Sequence, residues 1–475
     1  MRKKIALQFV SSNLATLANF LLVVILARLL TPTDVGIFSM SAVLIAVAHV
    51  FRDFGVTTYL KREKEVPPAL IRSALGLLIA TSWTVAALLY FSSGIWARFF
   101  AVPAIADVVE VLALGFVFIP FGSIPQALLT RNFQVERSAA VVAVSTVVYF
   151  STSVTLAWHG FAHMTMAWAN LVNILVTGIA YHLAYGGGIP LLPSTKGWTR
   201  MLNFGAGNLL AALLRAADNA LPDVALGRVS TPAMVGLFSR ANATVNMVTM
   251  AVNPTIQYFA LPYLAQVYHA QGRIAGEFLR TSSIVNCLIL PTLLWIALTG
   301  KELVLLLFGS PWLGSVEAIP WLCATFAVLT LFTLTPHAVT SVGRPMAAVF
   351  PMLIGLLAKV ACVLLVFEST LQSFSMALFL GQVLAAPSFL WINRTVLGVS
   401  TRAWLADVAK TVTPLLVIGS LAGEILIPAL QGLPSVAQLV ISGFFVMALT
   451  VAAYAMMGMP IRAEVQRILK HLPTR

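Results

Sequence analysis

What most constrains this chain is a near-continuous succession of apolar segments, each about 20 or more residues long and separated by short polar breaks. They can be marked at roughly 6–30, 34–59, 68–91, 104–129, 137–158, 161–185, 201–227 and 232–260. Six more lie near 275–299, 317–341, 345–367, 371–392, 404–428 and 434–459. A segment of that length crosses a ~30 Å hydrocarbon core as a helix. The expected fold is therefore all-α and integral to a membrane, with about fourteen transmembrane helices. Composition agrees: 59% of residues are hydrophobic and 9% charged, against about 25% charged in soluble domains, which leaves no adequate polar surface for water. Met1-Arg-Lys-Lys leads into an apolar segment longer than a signal h-region, so the first helix is expected to be retained. Cys287, Cys323 and Cys362 all fall within apolar runs, which suits reduced packing residues rather than a disulfide or metal framework.

The chain carries an internal echo. RLLTPTDVGIFS, from Arg28 to Ser39, returns as RVSTPAMVGLFS from Arg228 to Ser239, identical at Arg28/Arg228, Thr31/Thr231, Pro32/Pro232, Val35/Val235, Gly36/Gly236, Phe38/Phe238 and Ser39/Ser239. Each copy lies between two apolar runs and reads as a tight Thr-Pro turn, with Pro at the start of the second helix, where its missing N–H costs nothing. The chain is thus expected to hold two related halves. The stretch GGGIPLLPSTKGW, 186–198, breaks helix and precedes the second copy, as a linker would. The expected division is a six-helix bundle over 1–185, a cytoplasmic linker over 186–200, a second six-helix bundle over 201–392, an extra helix pair over 393–459 and a basic amphipathic tail over 460–475 suited to the membrane surface.

The formal charge of +13 invites a nucleic-acid partner, but the basic residues sit between apolar segments rather than in a basic, aromatic-interleaved patch. They orient the chain instead. On the fourteen-helix scheme most of the 29 lysines and arginines lie on the side of the N-terminus, whereas Arg28, Arg98, Arg228 and Lys301 lie on the other. The positive-inside rule then places both termini in the cytoplasm.

Polar residues inside the apolar segments mark the candidate site, because a charge there costs about 2.5–3.5 kcal/mol on insertion scales. Arg52, Arg215, Arg240 and Lys359 are such residues, and Asp53 adjoins Arg52. In the seventh segment Asn208, Arg215, Asp218, Asn219 and Pro222 share one helical face, and Arg215 and Asp218, at i and i+3, can bond each other. In the eighth, Asn242, Asn246, Thr249, Asn253 and Gln257 form a second stripe, from which Arg240 stands about 160° away on a straight helix. Arg52 and Lys359 are read equally as helix-packing and as cavity residues. Asp53, Asp218 and Asp223 could bind H⁺ or Na⁺, or could neutralise arginines. No catalytic constellation, metal set or P-loop is present, so neither an enzyme nor a cofactor is expected.

The phrases ARLLTPTDVGIFSM (27–40), FRDFGVTTYLKRE (51–63) and LFGSPWLGSVEAIPWL (307–322) resemble Wzx-type polysaccharide flippases of the multidrug/oligosaccharidyl-lipid/polysaccharide exporter superfamily. The resemblance implies two six-helix bundles facing each other across a central cavity, with two extra C-terminal helices. It also implies a substrate, an oligosaccharide repeat unit on polyprenyl diphosphate, moved across the bacterial inner membrane for lipopolysaccharide, capsule or exopolysaccharide synthesis. Membrane lipids, a polysaccharide polymerase and chain-length proteins are the partners that go with such a role. Lipid-flipping relatives place cavity arginines on the early helices of each half, a loose match to Arg52, Arg215 and Arg240. Such a substrate needs fixed cations for its phosphates and hydrogen-bonding groups for its sugars, which the arginines and the Asn stripes supply. The alternatives are a drug or cation antiporter of the same superfamily, which commonly has twelve helices and acidic cavity residues, and a membrane polymerase or ligase, which typically has a large hydrophilic periplasmic loop.

Overall fold

The computed structural model describes residues 2–190 and 192–459, with the backbone alone described at 2–12, 206–208, 251–255 and 257–259. The tail expected over 460–475 lies outside the described residues. Among those described there is no strand. The chain divides into two compact units, Met1–Ser239 and Arg240–Arg475, described in turn.

The first unit contains α1 (Arg2–Leu29), α2 (Pro32–Asp53), α3 (Val56–Arg62), α4 (Pro68–Phe100), α5 (Ala104–Arg131), α6 (Val135–Trp158), α7 (Thr165–Tyr185) and α8 (Trp198–Val229). A 40-residue helix, α9 (Pro232–Gln271), begins in the first unit and ends in the second. The second unit continues with α10 (Ala275–Leu307), α11 (Ile319–Leu331), α12 (Thr335–Ser341), α13 (Val349–Val366), α14 (Leu371–Thr395), α15 (Thr401–Leu421), the short α16 (Ile427–Ala429) and α17 (Ser435–Met456). Among the described residues 11 helical stretches, 22 to 33 residues long, are apolar enough to cross a membrane. Helices α1, α8 and α9 are long enough as well, at 28, 32 and 40 residues.

Both Thr-Pro turns form where the sequence places them. Thr31 caps α2: its Oγ1 accepts from the Asp34 N–H at 3.2 Å, while Asp34 Oδ2 accepts from the Thr31 N–H at 3.0 Å, a reciprocal capping box. The second copy has Met234 where the first has Asp34, and only the Thr231 side chain serves, accepting from the Met234 N–H at 3.4 Å.

The segment expected as one helix over 34–59 is two. Helix α2 stops at Asp53 because Phe54 (φ 40°) and Gly55 (φ 75°) are both left-handed, and α3 then starts in a new direction. Gly55 adopts this conformation freely, whereas at Phe54 it costs about 1–2 kcal/mol. Arg52 and Asp53 therefore occupy a helix end rather than a helix interior. The segment near 317–341 is likewise interrupted, between α11 and α12.

The break at Phe54 builds one end of the first unit. Val56, Tyr59 and Leu60 of α3 are buried with Leu75 and Leu78 of α4, Ile124 and Leu128 of α5, and Met201 of α8. Ile189 of the linker enters the same cluster. The linker is strapped down: the Ser194 N–H donates to the Arg72 carbonyl at 2.9 Å, Arg72 Nε donates to the Leu192 carbonyl at 3.1 Å, and Trp198 Nε1 donates to the Ser194 and Ser73 carbonyls at 2.9 and 3.1 Å. Gly-Pro content stops the helix here without leaving the segment undocked.

The second unit joins its apolar helices by a few buried polar bonds. Thr335 Oγ1 donates to Asn393 Oδ1 at 3.0 Å, Trp295 Nε1 to Ser442 Oγ at 3.1 Å, and the Tyr454 hydroxyl to the Thr411 carbonyl at 3.0 Å. In lipid, where apolar contact alone gives helices little reason to associate, such bonds contribute about 0.6 kcal/mol each.

Candidate functional site

The predicted site residues of the first unit lie on α2 and α8, which pack against each other in antiparallel fashion. At one end the two copies of the repeated turn meet. A methyl group on Gly36 would overlap the Pro232 carbonyl oxygen, and one on Gly236 would overlap the Pro32 carbonyl oxygen. The contact is reciprocal, each copy's glycine lying on the other's proline. Further along, Gly227 of α8 faces Met40 of α2 and Phe100 of α4. At the far end Gly205 lies against the Phe54 carbonyl, and the Phe204 ring is held edge-on by Tyr59 at 5.5 Å with the Arg62 guanidinium over its face at 5.2 Å. Only glycine lets backbones come this close.

Between these ends lies Arg215, near the middle of α8 and exposed, as is Asn219 one turn on. Asp218 is half-buried. Among the described residues Arg215 has no hydrogen-bond or ion-pair partner, and the i,i+3 bond to Asp218 that the spacing allows is not formed; Asp218 is engaged elsewhere. The side chain of Asn208 lies outside the described residues.

Arg52 and Asp53 organise the helix break. Arg52 Nη1 donates to Ser123 Oγ of α5 at 3.1 Å, and the Arg52 carbonyl accepts from Thr81 Oγ1 of α4 at 2.8 Å. Asp53 Oδ2 accepts from Thr57 Oγ1 of α3 at 3.0 Å, so the adjacent charges turn to different helices. Each keeps one buried atom without a partner, Arg52 Nε and Asp53 Oδ1. Each such unsatisfied buried polar atom is costly in a resting protein.

In the second unit Arg240 is buried, 7% exposed, with its guanidinium 5.5 Å from the Trp312 ring centre and 5.9 Å from that of Phe308. Both rings are almost wholly buried. The phrase LFGSPWLG thus builds an aromatic seat for a cation some seventy positions earlier in the chain, a pairing no helical wheel reveals. Asn242 and Asn246 are half-buried, and the Asn246 side chain accepts from Thr249 Oγ1. Lys359 is buried where α13 crosses α14, and a methyl on Gly381 would come within 2.5 Å of its Cα. The structure therefore brings Arg52, Asp53 and the α8 residues onto one helix pair of the first unit, while Arg240 and Lys359 belong to the second unit. Sequence reasoning did not find Ser123, Thr57, Thr81 or the Trp312 seat, although Trp312 stood inside a family-like phrase. No cluster of His, Cys, Asp or Glu suited to a metal occurs among the described residues.

Residues 25–317 match the family described as polysaccharide biosynthesis protein. The chain belongs to this family. Family membership bears out the resemblance carried by ARLLTPTDVGIFSM and its companion phrases. Family relatives include the lipopolysaccharide biosynthesis protein WzxC of Escherichia coli (strain K12), 22% identical over 63% of this chain and 61% of that one. The teichuronic acid biosynthesis protein TuaB of Bacillus subtilis (strain 168) is 20% identical over 65% of each, and the succinoglycan biosynthesis transport protein ExoT of Rhizobium meliloti (strain 1021) is 20% identical over 66% of this chain and 63% of that one. The chain thus spans 61% to 65% of the length of these curated relatives. The fold of this chain is similar to that of the lipid II flippase MurJ in an inward closed conformation, with a TM-score of 0.74 over 95% of this chain and 99% of that one at 10% identity. An inward-facing MATE family multidrug transporter of the MOP superfamily matches with a TM-score of 0.63 over 82% and 96% at 15% identity. At these identities the likeness is one of fold.

Proposed function

We propose that this chain is a flippase that carries polyprenyl-diphosphate-linked oligosaccharide repeat units from the cytoplasmic to the periplasmic leaflet of a bacterial inner membrane. Support comes from the family, from relatives named for lipopolysaccharide, teichuronic acid and succinoglycan synthesis, and from a fold shared with a lipid flippase. In this reading α1, α8 and α9 join the 11 apolar stretches to make fourteen spans with both termini cytoplasmic. The halves, 1–185 and 201–392, rock about a midplane site as in other repeat-built transporters, with 393–459 as an added pair.

The observation that carries the reading is Arg215, an exposed guanidinium with no protein partner among the described residues, midway along a 32-residue helix. A permanent cation held at that depth is stabilised by an anion, and a diphosphate offers two. Arginine keeps its charge when desolvated and grips phosphate with two parallel hydrogen bonds. Arg52 on α2 supplies a second cation, and Asn208 and Asn219 of α8 supply groups for sugar hydroxyls. Arg240 and Lys359 act one step removed, holding helices that move. The coupling ion is H⁺ or Na⁺ taken up at Asp53, whose Oδ1 is buried without a partner. The prenyl tail stays among membrane lipids, and a polymerase and chain-length proteins receive the product.

The reciprocal Gly36–Pro232 and Gly236–Pro32 contacts form the periplasmic gate: cargo leaves only when the two turns separate. Gly205 on Phe54 closes the opposite end of the same helix pair.

The test is a set of Arg215 variants. Arg215→Ala and Arg215→Lys should each impair export of the polysaccharide while the protein inserts at normal abundance. Pairing Arg215→Ala with Asp218→Ala should not restore export, because the two side chains are not bonded. Restored export in the double variant would assign Arg215 a structural role and defeat the substrate reading.

A further inference from the structure

The second unit holds an open groove of about 710 Å³ between the start of α13 and the last turns of α14. Its walls are Met346, Phe350, Trp391, Ile392 and Val396, and Arg344 stands at its rim. Phe350 and Trp391 meet edge to face at 5.6 Å, each about half exposed, at 48% and 55%. Arg344 follows Gly343, which turns the chain at φ 79°, and its backbone is held by bonds to Val339 and Ala347. Its exposed guanidinium has no hydrogen-bond or ion-pair partner among the described residues. No acidic residue lines the groove, and Arg394 and Arg402 are exposed beside the neighbouring turn.

An aromatic-walled groove with an unpaired cation among its lining residues is complementary to an apolar chain that ends in an anionic head, and in a membrane the commonest such head is a lipid phosphate. We propose that this groove is a binding site for an anionic phospholipid of the cytoplasmic leaflet, with an acyl chain along Phe350 and Trp391 and the phosphate on Arg344. The assignment rests on the proposed orientation, in which this end of α13 and α14 lies at the cytoplasmic interface, where tryptophan and arginine anchor membrane helices. The site is separate from the α2–α8 pair and needs no oligosaccharide. It fixes α13 against α14 from the lipid side, opposite in kind to the buried Lys359–Gly381 crossing of the same two helices.

The experiment is native mass spectrometry of the full-length chain equilibrated with equal amounts of phosphatidylglycerol and phosphatidylcholine of matched acyl chains. The wild-type chain should retain phosphatidylglycerol in preference. Arg344→Gln should lower that retention about fivefold, the effect of one interfacial arginine, and leave phosphatidylcholine unchanged. Arg344→Lys should keep most of the preference, and Trp391→Ala should lower retention of both lipids. Arg98→Gln, at an exposed arginine assigned to the opposite side, should change neither. Equal retention of the two lipids by the wild type, or an Arg344→Gln chain that behaves as wild type, overturns the proposal. So does displacement of phosphatidylglycerol by polyprenyl phosphate at equal concentration, which would make the groove a station for the transported lipid. Since the assay reads no transport, each of these outcomes leaves the Arg215 reading untouched.

Discussion

Gly36→Ala adds one methyl group at the contact between the two repeated turns. That methyl would overlap the Pro232 carbonyl oxygen, and because the obstacle is backbone rather than the end of a flexible side chain, the turns must separate to admit it. Overpacking of this kind costs about 1–3 kcal/mol. The penalty falls on the conformation in which the turns touch and is absent when they are apart. The ratio of open to closed molecules should therefore rise roughly 5- to 150-fold. A cysteine at position 219, on the exposed face of α8, reports this as its rate of labelling by an impermeant maleimide added from the periplasmic side. The native cysteines, Cys287, Cys323 and Cys362, are buried and give little background. Gly94→Ala is the control, since a methyl there meets nothing within 4 Å and should not alter labelling. Gly236→Ala should reproduce the effect from the other side, and the double variant should fall short of the sum, because both changes relieve themselves by the same separation. Unchanged labelling in Gly36→Ala at normal abundance refutes the assignment of this contact as a gate.

Two further outcomes are expected. Trp312→Ala removes a fully buried ring from the Arg240 seat and should destabilise the protein by about 3–5 kcal/mol, seen as a lower melting temperature in detergent, whereas Trp312→Phe should retain most of the stability; an unshifted melting temperature for Trp312→Ala contradicts the role given to the seat. Glu63→Cys should resist, and Thr33→Cys accept, an impermeant reagent applied to intact cells, and the reverse pattern inverts the orientation on which the direction of transport depends.

The helical, membrane-spanning character of the chain was legible because apolar runs of that length admit few other folds, and the two Thr-Pro turns because Pro fits the first turn of a helix. The split at Phe54 was not. A left-handed phenylalanine is held by its surroundings, the Arg52–Ser123 and Asp53–Thr57 bonds among them; Gly55 is a local stop signal, but a single glycine within a long apolar run does not outweigh the run's length. Arg215 was found because its own helix shows the polar face. Arg240 and Lys359 looked equally exceptional by hydropathy, yet their surroundings are set by Phe308, Trp312 and Gly381, residues remote in sequence whose approach only tertiary packing decides. A helical wheel ranks the faces of one helix; it does not say which face meets lipid, protein or cargo.

If this chain flips a lipid-linked oligosaccharide whose diphosphate rests on Arg215, the substrate must reach the opposite leaflet at a rate that depends on that residue. The direct measurement uses proteoliposomes that carry a polyprenyl-diphosphate-linked oligosaccharide in both leaflets and follows the fraction that an externally added, impermeant glycosidase can reach. With wild-type protein that fraction should climb from about half toward completion, while protein-free vesicles and the Arg215→Ala chain stay near half. Equal kinetics for wild-type protein and empty vesicles would contradict the flippase assignment, and full activity of Arg215→Ala would contradict the place given to that residue.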